Sequence, residues 1–225
     1  MATRPVFVPN RSKSAYVLEI PVEFHWVAGM AVSQKQKSIA SLHKSARERL
    51  AGTRILEISS KSTEPLGVSL SAFNLMLTLG GRRVSVEVAF QAGKQFEKGG
   101  PFVDLLEGSS RDAKADMRLR ESGRLVGFVL DDVKWPLEPL TAFYDWIYLH
   151  ALAENPRMAE GLDGYGAFTD IEFNPQKSLN CQARSAALYV SLKRERLLET
   201  ALASKEAYLT LLGYGTSETV QTRLL

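Results

Sequence analysis

The sequence predicts an α+β fold: a helix-rich single domain with a small, mainly antiparallel sheet and a strand-bearing N-terminal extension. Short apolar or alternating runs such as Tyr16-Val17-Leu18-Glu19-Ile20 and Ile55-Leu56-Glu57-Ile58 read as strands, and Gly80-Gly81 suits a hairpin turn. Residues 33–49, 140–153 and 195–212 space their apolar side chains as amphipathic or core helices do. A chain of 225 residues that is 45% hydrophobic can bury one sizeable core, so a single domain needs no staple.

Composition narrows the function classes. A formal net charge of +3 tolerates a nucleic acid or a phosphate-bearing ligand without requiring one. The single cysteine, Cys181, cannot form an internal disulfide. The three histidines, His25, His43 and His150, lie far apart with no second ligand at metal-binding spacing, so neither a metal nor another cofactor is expected. With no secretory pattern and no long apolar span, the expectation is a cytoplasmic protein with no membrane contact.

Taken in order, residues 1–14 carry Pro5, Pro9 and three basic side chains and read as an arm. Residues 16–26 form two short strands or one strand broken at Pro21. Residues 33–49 form a helix whose apolar side holds Ile39, Leu42 and Ala46. Its lysines and arginines suit a solvated face at least as well as a nucleic-acid contact. A strand over 54–60 delivers Lys61 to a turn at Glu64-Pro65-Leu66-Gly67. Helices are expected around 102–107 and over 110–120, the second capped at Ser109-Ser110-Arg111-Asp112. A strand over 125–130 precedes an extended link at Trp135-Pro136. After the core helix 140–153 come a short helix over 158–162, a loop over 168–175, a helix over 179–192 rich in small residues, and a last helix over 195–212. The implied organisation is an N-terminal arm and extension (1–34), a catalytic domain (35–212) and a frayed tail (213–225).

The most informative stretch is Ser85-Val86-Glu87-Val88-Ala89-Phe90-Gln91-Ala92-Gly93-Lys94. Read as a helix that continues to Lys98-Gly99-Gly100-Pro101, it aligns Glu87, Gln91 and Lys94 in one polar line flanked by Val86, Phe90, Val88 and Ala92. An acid, an amide and an amine enclosed by apolar neighbours are either paired in the core or face a pocket.

Three places resemble the NADAR (YbiA-like) family, which acts on ADP-ribose-type and related N-glycosides. Lys61, Pro65-Leu66-Gly67 and Leu70-Ser71-Ala72-Phe73 are similar to that family's lysine, Pro-x-Gly turn and Phe-Ser-Asn-Phe sequence, with Ala72 in place of the asparagine. Glu87 through Lys94 resembles its Glu-His-x-x-Gln-Ala-x-Lys helix, with Val88 in place of the histidine. The Asp170 loop and the small-residue helix after it correspond loosely. The wording at Ile58-Ser59-Ser60-Lys61-Ser62, Glu97-Lys98-Gly99-Gly100-Pro101 and Asn180-Cys181-Gln182-Ala183-Arg184 is similar to the branch associated with DarT-type toxins, which attach ADP-ribose to guanine in DNA. The resemblance implies an antitoxin that removes this group, with ADP-ribosylated DNA and the cognate toxin as partners.

Cleavage of an N-glycosidic bond develops positive charge at the anomeric carbon, which a carboxylate in a dry pocket stabilises; Glu87 is the candidate. Gln91 and Lys94 are placed to orient it or to bind substrate oxygens. Lys61 is a candidate for Schiff-base attack on the opened sugar, and Asp170 for proton transfer or for a ribose hydroxyl. Ser71 and Phe73 lie in the resembling loop, Phe73 as a base-stacking surface. Arg111, Arg124 and Arg184 are diphosphate candidates by charge and fork geometry. Trp135, Tyr144 and Trp146 fit a packed core as well as base stacking. Two further functions stay open: an N-glycosidase acting on a phosphorylated riboflavin-pathway intermediate, and a non-catalytic antitoxin that binds ADP-ribose or the toxin.

Overall fold

A computed structural model describes residues 1–12, 15–176, 178, 180 and 181–214. The fold is α+β, with a helix-rich body and three small, mostly antiparallel sheets. The largest sheet has the order β2-β1-β9-β3, built from β1 (Ala2–Ser12), β2 (Ala15–Phe24), β3 (Ile55–Glu57) and β9 (Ala167–Thr169). Residues 2–12 are therefore a strand, which corrects the reading of this segment as an arm. The misreading came from Pro5 and Pro9, which donate nothing to a ladder. They are tolerated because β2 is an edge strand and β1 meets β9 at Phe7↔Phe168 alone. Pro21 likewise leaves β2 unbroken, facing Pro5 across the pair.

Strand alternation sorts the sheet's side chains onto two faces. Val6, Val22, Phe24, Ile55 and Ala167 meet Ile39, Leu42 and Ala46 of α1 (Val32–Arg49). Phe7, Leu56 and Phe168 point the other way, into the main core. There the sheet meets α6 (Ala142–Ala153) and α8 (Gln182–Arg194); Ala183, Ala186 and Ala187 let α8 approach closely. The expected start of this helix at Leu179 lies outside the described residues, as does the tail beyond residue 214.

Two hairpins shape the rest. β4 (Met76–Leu79) and β5 (Arg82–Ser85) join through Gly80 and Gly81, both at positive φ as a two-residue turn requires. β6 (Lys94–Phe96), β7 (Leu125–Leu130) and β8 (Val133–Trp135) form the third sheet. The β7–β8 turn uses Asp131 and Asp132 at positive φ, a weaker signal than Asn-Gly, and Trp135 ends a strand where an extended link was expected.

Several helices are shorter than their periodicity suggested. The segment before β4 holds a single helical stretch, α2 (Pro65–Ser69), opened by Pro65 at its first position. The central helix α3 spans Val86–Ala92 and stops at Gly93, not at Lys98. A Cβ on Gly93 would lie 2.8 Å from Phe143 Cζ, and its carbonyl accepts from Val129 N at 2.7 Å, so the chain leaves the helix there to pair with β7. Lys94 consequently lies on β6. The expected helix over 110–120 is two, α4 (Ser110–Ala115) and α5 (Arg118–Glu121), because extended Asp116 accepts from Arg118 N at 2.8 Å. The helix over 195–212 is likewise divided into α9 (Leu198–Ala203) and α10 (Lys205–Leu211) at Ser204, whose hydroxyl caps Ala207 N. Between α6 and β9 lies α7 (Pro156–Gly161). No helix among the described residues is long and apolar enough to cross a membrane.

The Pro65-Leu66-Gly67 turn packs tightly against the end of β3. A Cβ on Gly67 would lie 2.0 Å from the Glu57 carbonyl oxygen and 2.4 Å from Ser62 Oγ. Gly67→Ala is expected to destabilise the protein by about 1–3 kcal/mol through overpacking against backbone, read as a lower urea midpoint with an unchanged slope.

Candidate active site

The parallel pair β3 and β9 sends both C-terminal ends to one place, with Leu56 beside Phe168 and Glu57 beside Thr169. Beyond Glu57 the chain supplies Ser59, Ser60 and Lys61; beyond Thr169 it supplies Asp170. These residues line a cavity of about 1090 Å³ together with Ser71, Phe73, Glu87, Gln91, Lys94 and Arg111. Lys61, Glu87 and Asp170, expected to act on one substrate, thus share one cavity wall, as do five of the seven expected binding residues.

Arg124 and Arg184 do not line it. Arg124 is exposed and pairs with Glu97 at 3.1 Å. Arg184 pairs with buried Asp145 at 2.5 Å and with Glu19 at 3.3 Å, beside a separate cavity of about 210 Å³. Charge and fork geometry alone could not distinguish a ligand-facing arginine from one already consumed by carboxylates. Trp135 and Trp146 stack on each other with centroids 5.1 Å apart in the core, whereas Tyr144 reaches the cavity.

α3 delivers Glu87 and Gln91 one turn apart. Ser85 starts the helix by accepting from Val88 N at 3.2 Å. Gln91 Nε2 donates to Glu87 Oε1 at 2.8 Å, and Lys114 Nζ stands 3.6 Å from the same oxygen. Lys114 also lies 4.9 Å from the centre of the Phe73 ring. The sequence reading missed Lys114, although its i, i+3 spacing from Arg111 puts both on one side of α4. Lys94 Nζ lies 4.8 Å from the Phe90 ring. Burial pulls the Lys94 ammonium below the usual lysine range, Glu87 opposes that shift, and Lys114 adds to it.

Asp170 occupies a different environment. Its Oδ1 accepts from Glu172 N at 3.0 Å and Phe173 N at 3.2 Å, and Cys181 Sγ lies 3.9 Å from Oδ2. Burial first, and the charge of Glu57 second, push this carboxyl up to about 8. Glu57 was read as an ordinary strand residue. It is buried, and it accepts from Ser59 Oγ at 2.7 Å, Thr169 Oγ1 at 2.6 Å and Ile171 N at 2.8 Å. Burial raises Glu57 as well, but three donors work against that rise and leave Asp170 as the acid that keeps its proton. Because the Thr169 hydroxyl donates to Glu57, His43 Nε2, 2.8 Å from Thr169 Oγ1, must donate its own N–H. Burial lowers His43 to about 4, which keeps the ring neutral.

Gln182 was also missed as a site residue. Its Oε1 accepts from Ala72 N at 2.6 Å and its Nε2 donates to Ile58 O at 2.7 Å. One amide therefore clamps the loop after β3 to the loop that presents Ser71 and Phe73. Ser71 itself is buried, with its hydroxyl donating to Val68 O at 2.8 Å.

Comparison with protein families matches residues 2–222 to the DarT1-associated NADAR antitoxin family. The chain belongs to this family. No curated protein matches it. The family description carries an antitoxin role in association with DarT1. The match spans β1 and β2 as well as the helical body, consistent with their place in one sheet in this NADAR antitoxin.

Asp170 also leaves a signature in stability. A carboxyl ordinarily at 3.8 that sits near 8 when folded gives the folded state the extra proton, so stability falls as pH rises between these values and is flat above. His43, ordinarily at 6.5 and lowered to about 4, titrates below this range's upper part. Urea titrations from pH 6.5 to 8 should therefore show the native protein losing stability with pH, and Asp170→Asn losing less; parallel curves would refute the assignment.

Proposed function

We propose that this chain is an ADP-ribosyl glycohydrolase that removes ADP-ribose from guanine in DNA and in this way neutralises its DarT1 partner. The observation that carries the reading is one cavity holding two carboxyl groups in opposite surroundings. Glu87 is met by an amide donor and a lysine, whereas Asp170 is buried beside a second acid and holds its proton. Pairs of acids whose environments set them apart are suited to divide the work of base and acid.

In this scheme Glu87, as a carboxylate, faces the anomeric carbon and stabilises the positive charge that grows as the C–N bond breaks. Asp170 gives its proton to the departing guanine nitrogen. Water then adds to the anomeric carbon and loses a proton to Glu87, which leaves guanine in the DNA and ADP-ribose free. Lys94, Lys114 and Arg111 bring positive charge to the same cavity for the diphosphate. Phe73 supplies an exposed ring at the rim for a base. A volume near 1090 Å³ suits a dinucleotide-sized ligand better than a single phosphorylated sugar, which favours the DNA adduct over a riboflavin-pathway intermediate.

A covalent route through Lys61 has its own support. The amine lines the cavity and has no carboxylate at ion-pair distance among the described residues. Attack on the opened sugar would expel the guanine amine, form an imine, and release ADP-ribose when water adds back.

Incubation with guanine-ADP-ribosylated DNA is expected to release free ADP-ribose. Glu87→Gln should lower the single-turnover rate roughly 100-fold or more. No release by the native protein overturns the function, and neutralisation of the toxin by Glu87→Gln at native strength favours a binding antitoxin. The rate should also fall above about pH 8 as Asp170 loses its proton, with that limb absent in Asp170→Asn. Borohydride trapping of a protein adduct, lost in Lys61→Ala, would establish the imine route; hydrolysis without any trapped adduct would leave the two carboxyl groups to carry the reaction.

A further inference from the structure

Gln91 is 94% buried yet lines the cavity, and only one end of its amide is engaged. Its Nε2 donates to Glu87 Oε1 at 2.8 Å, while its Oε1 has no hydrogen-bond partner among the described residues. The orientation is chemically forced, because the opposite amide rotamer would set an oxygen against the Glu87 carboxylate. Gln91 therefore presents a bare acceptor beside the carboxylate assigned to the anomeric carbon. Buried acceptors without donors are rare and costly, which makes a ligand O–H or N–H the natural partner. Glu87 and Gln91 are adjacent turns of α3, so the ligand group nearest this acceptor is the one next to the anomeric carbon.

We infer that Gln91 is a specificity-determining residue whose Oε1 accepts the hydroxyl hydrogen of the ribose 2-hydroxyl adjacent to the scissile bond. This rests on the glycohydrolase reading and deepens it. The residue acts twice through one planar group: Nε2 holds Glu87, and Oε1 tests the sugar. A 2-deoxy sugar, or one whose 2-hydroxyl bears a phosphate, lacks the donor and leaves the acceptor buried and unpaired.

Calorimetric binding of ADP-ribose and of its analogue deoxygenated at that 2-position tests the assignment on the native protein without any substitution. The native protein should bind the deoxy analogue about tenfold more weakly, the loss expected for one unpaired buried acceptor. Gln91→Leu, similar in size and without polar atoms, should bind the two with a ratio near one, with its melting curve recorded in parallel. Equal native affinities, or a folded Gln91→Leu that keeps the native ratio, overturn the assignment. Release of ADP-ribose from modified DNA by the native protein, measured alongside, separates the two levels. Release with no discrimination sinks Gln91 alone, whereas absence of release sinks the glycohydrolase reading and this inference with it.

Discussion

The buried carboxyl of Glu57 is the constraint on which the rest of the site depends. It sits where two parallel strands end, and its three donors come from three places: Ser59 after β3, Thr169 at the end of β9, and Ile171 in the loop beyond. A charge taken out of water needs such donors, and removing any one leaves a group that is expensive to bury. The loops bearing Lys61 and Asp170 are thus set by the need to satisfy one acid. His43 extends the constraint to α1, since its N–H supports the Thr169 hydroxyl that donates to Glu57. The N-terminal strands are tied in by the same sheet, through Phe7 beside Phe168. Ligand sites at the carboxyl ends of parallel strands are a general consequence of this geometry.

Satisfying Glu57 has a chemical side effect. A carboxylate with three donors keeps its charge near Asp170, and burial plus that charge hold Asp170 protonated toward neutral pH. Asp170 is in turn oriented by two backbone N–H groups, so its second oxygen remains the site for the proton. Glu87 meets no such neighbour; its contacts are Gln91 and Lys114. The division between the two acids arises from which elements bury them, not from their residue types. Lys94 illustrates the same balance, as burial depletes its proton affinity while Glu87 restores part of it.

The fold class, the two long helices α1 and α6, the glycine hairpin and the capped start of α4 were all legible because each is written in local pattern or cap chemistry. What was illegible depended on distant partners. Pro5 and Pro9 argued against a strand until the weak β1–β9 pairing made their missing donors harmless. Gly93 ends α3 because Phe143 stands over it, a contact 50 residues away in sequence that no periodicity announces. In the site, Glu87, Gln91 and Lys94 were found as a polar line in apolar surroundings, though Lys94 reaches the cavity from a strand. Arg124 and Arg184 were misjudged because an arginine's availability is decided by Glu97 and Asp145, which sequence does not place beside them. Glu57 and Gln182 look like an ordinary strand acid and an ordinary helix-start amide; their importance lies in burial and in bonds that span more than a hundred residues.

The two departures from the NADAR pattern bear differently on catalysis. Val88, at the position of the family's histidine, is packed in the main hydrophobic core and is not part of the cavity wall. An apolar side chain there strengthens the burial of α3 and removes no group that faces a ligand in this chain. Ala72, at the position of the asparagine, does line the cavity, so a polar side chain is truly absent from that wall. Its backbone N–H, however, is taken by Gln182 Oε1 at 2.6 Å, and this bond fixes the loop that carries Ser71 and Phe73. Positioning that a side-chain amide at residue 72 might have given the loop locally is here supplied across the cavity from α8. The acid, the amide and the amine of the central stretch all remain around the cavity, and they are the groups that glycosidic chemistry requires.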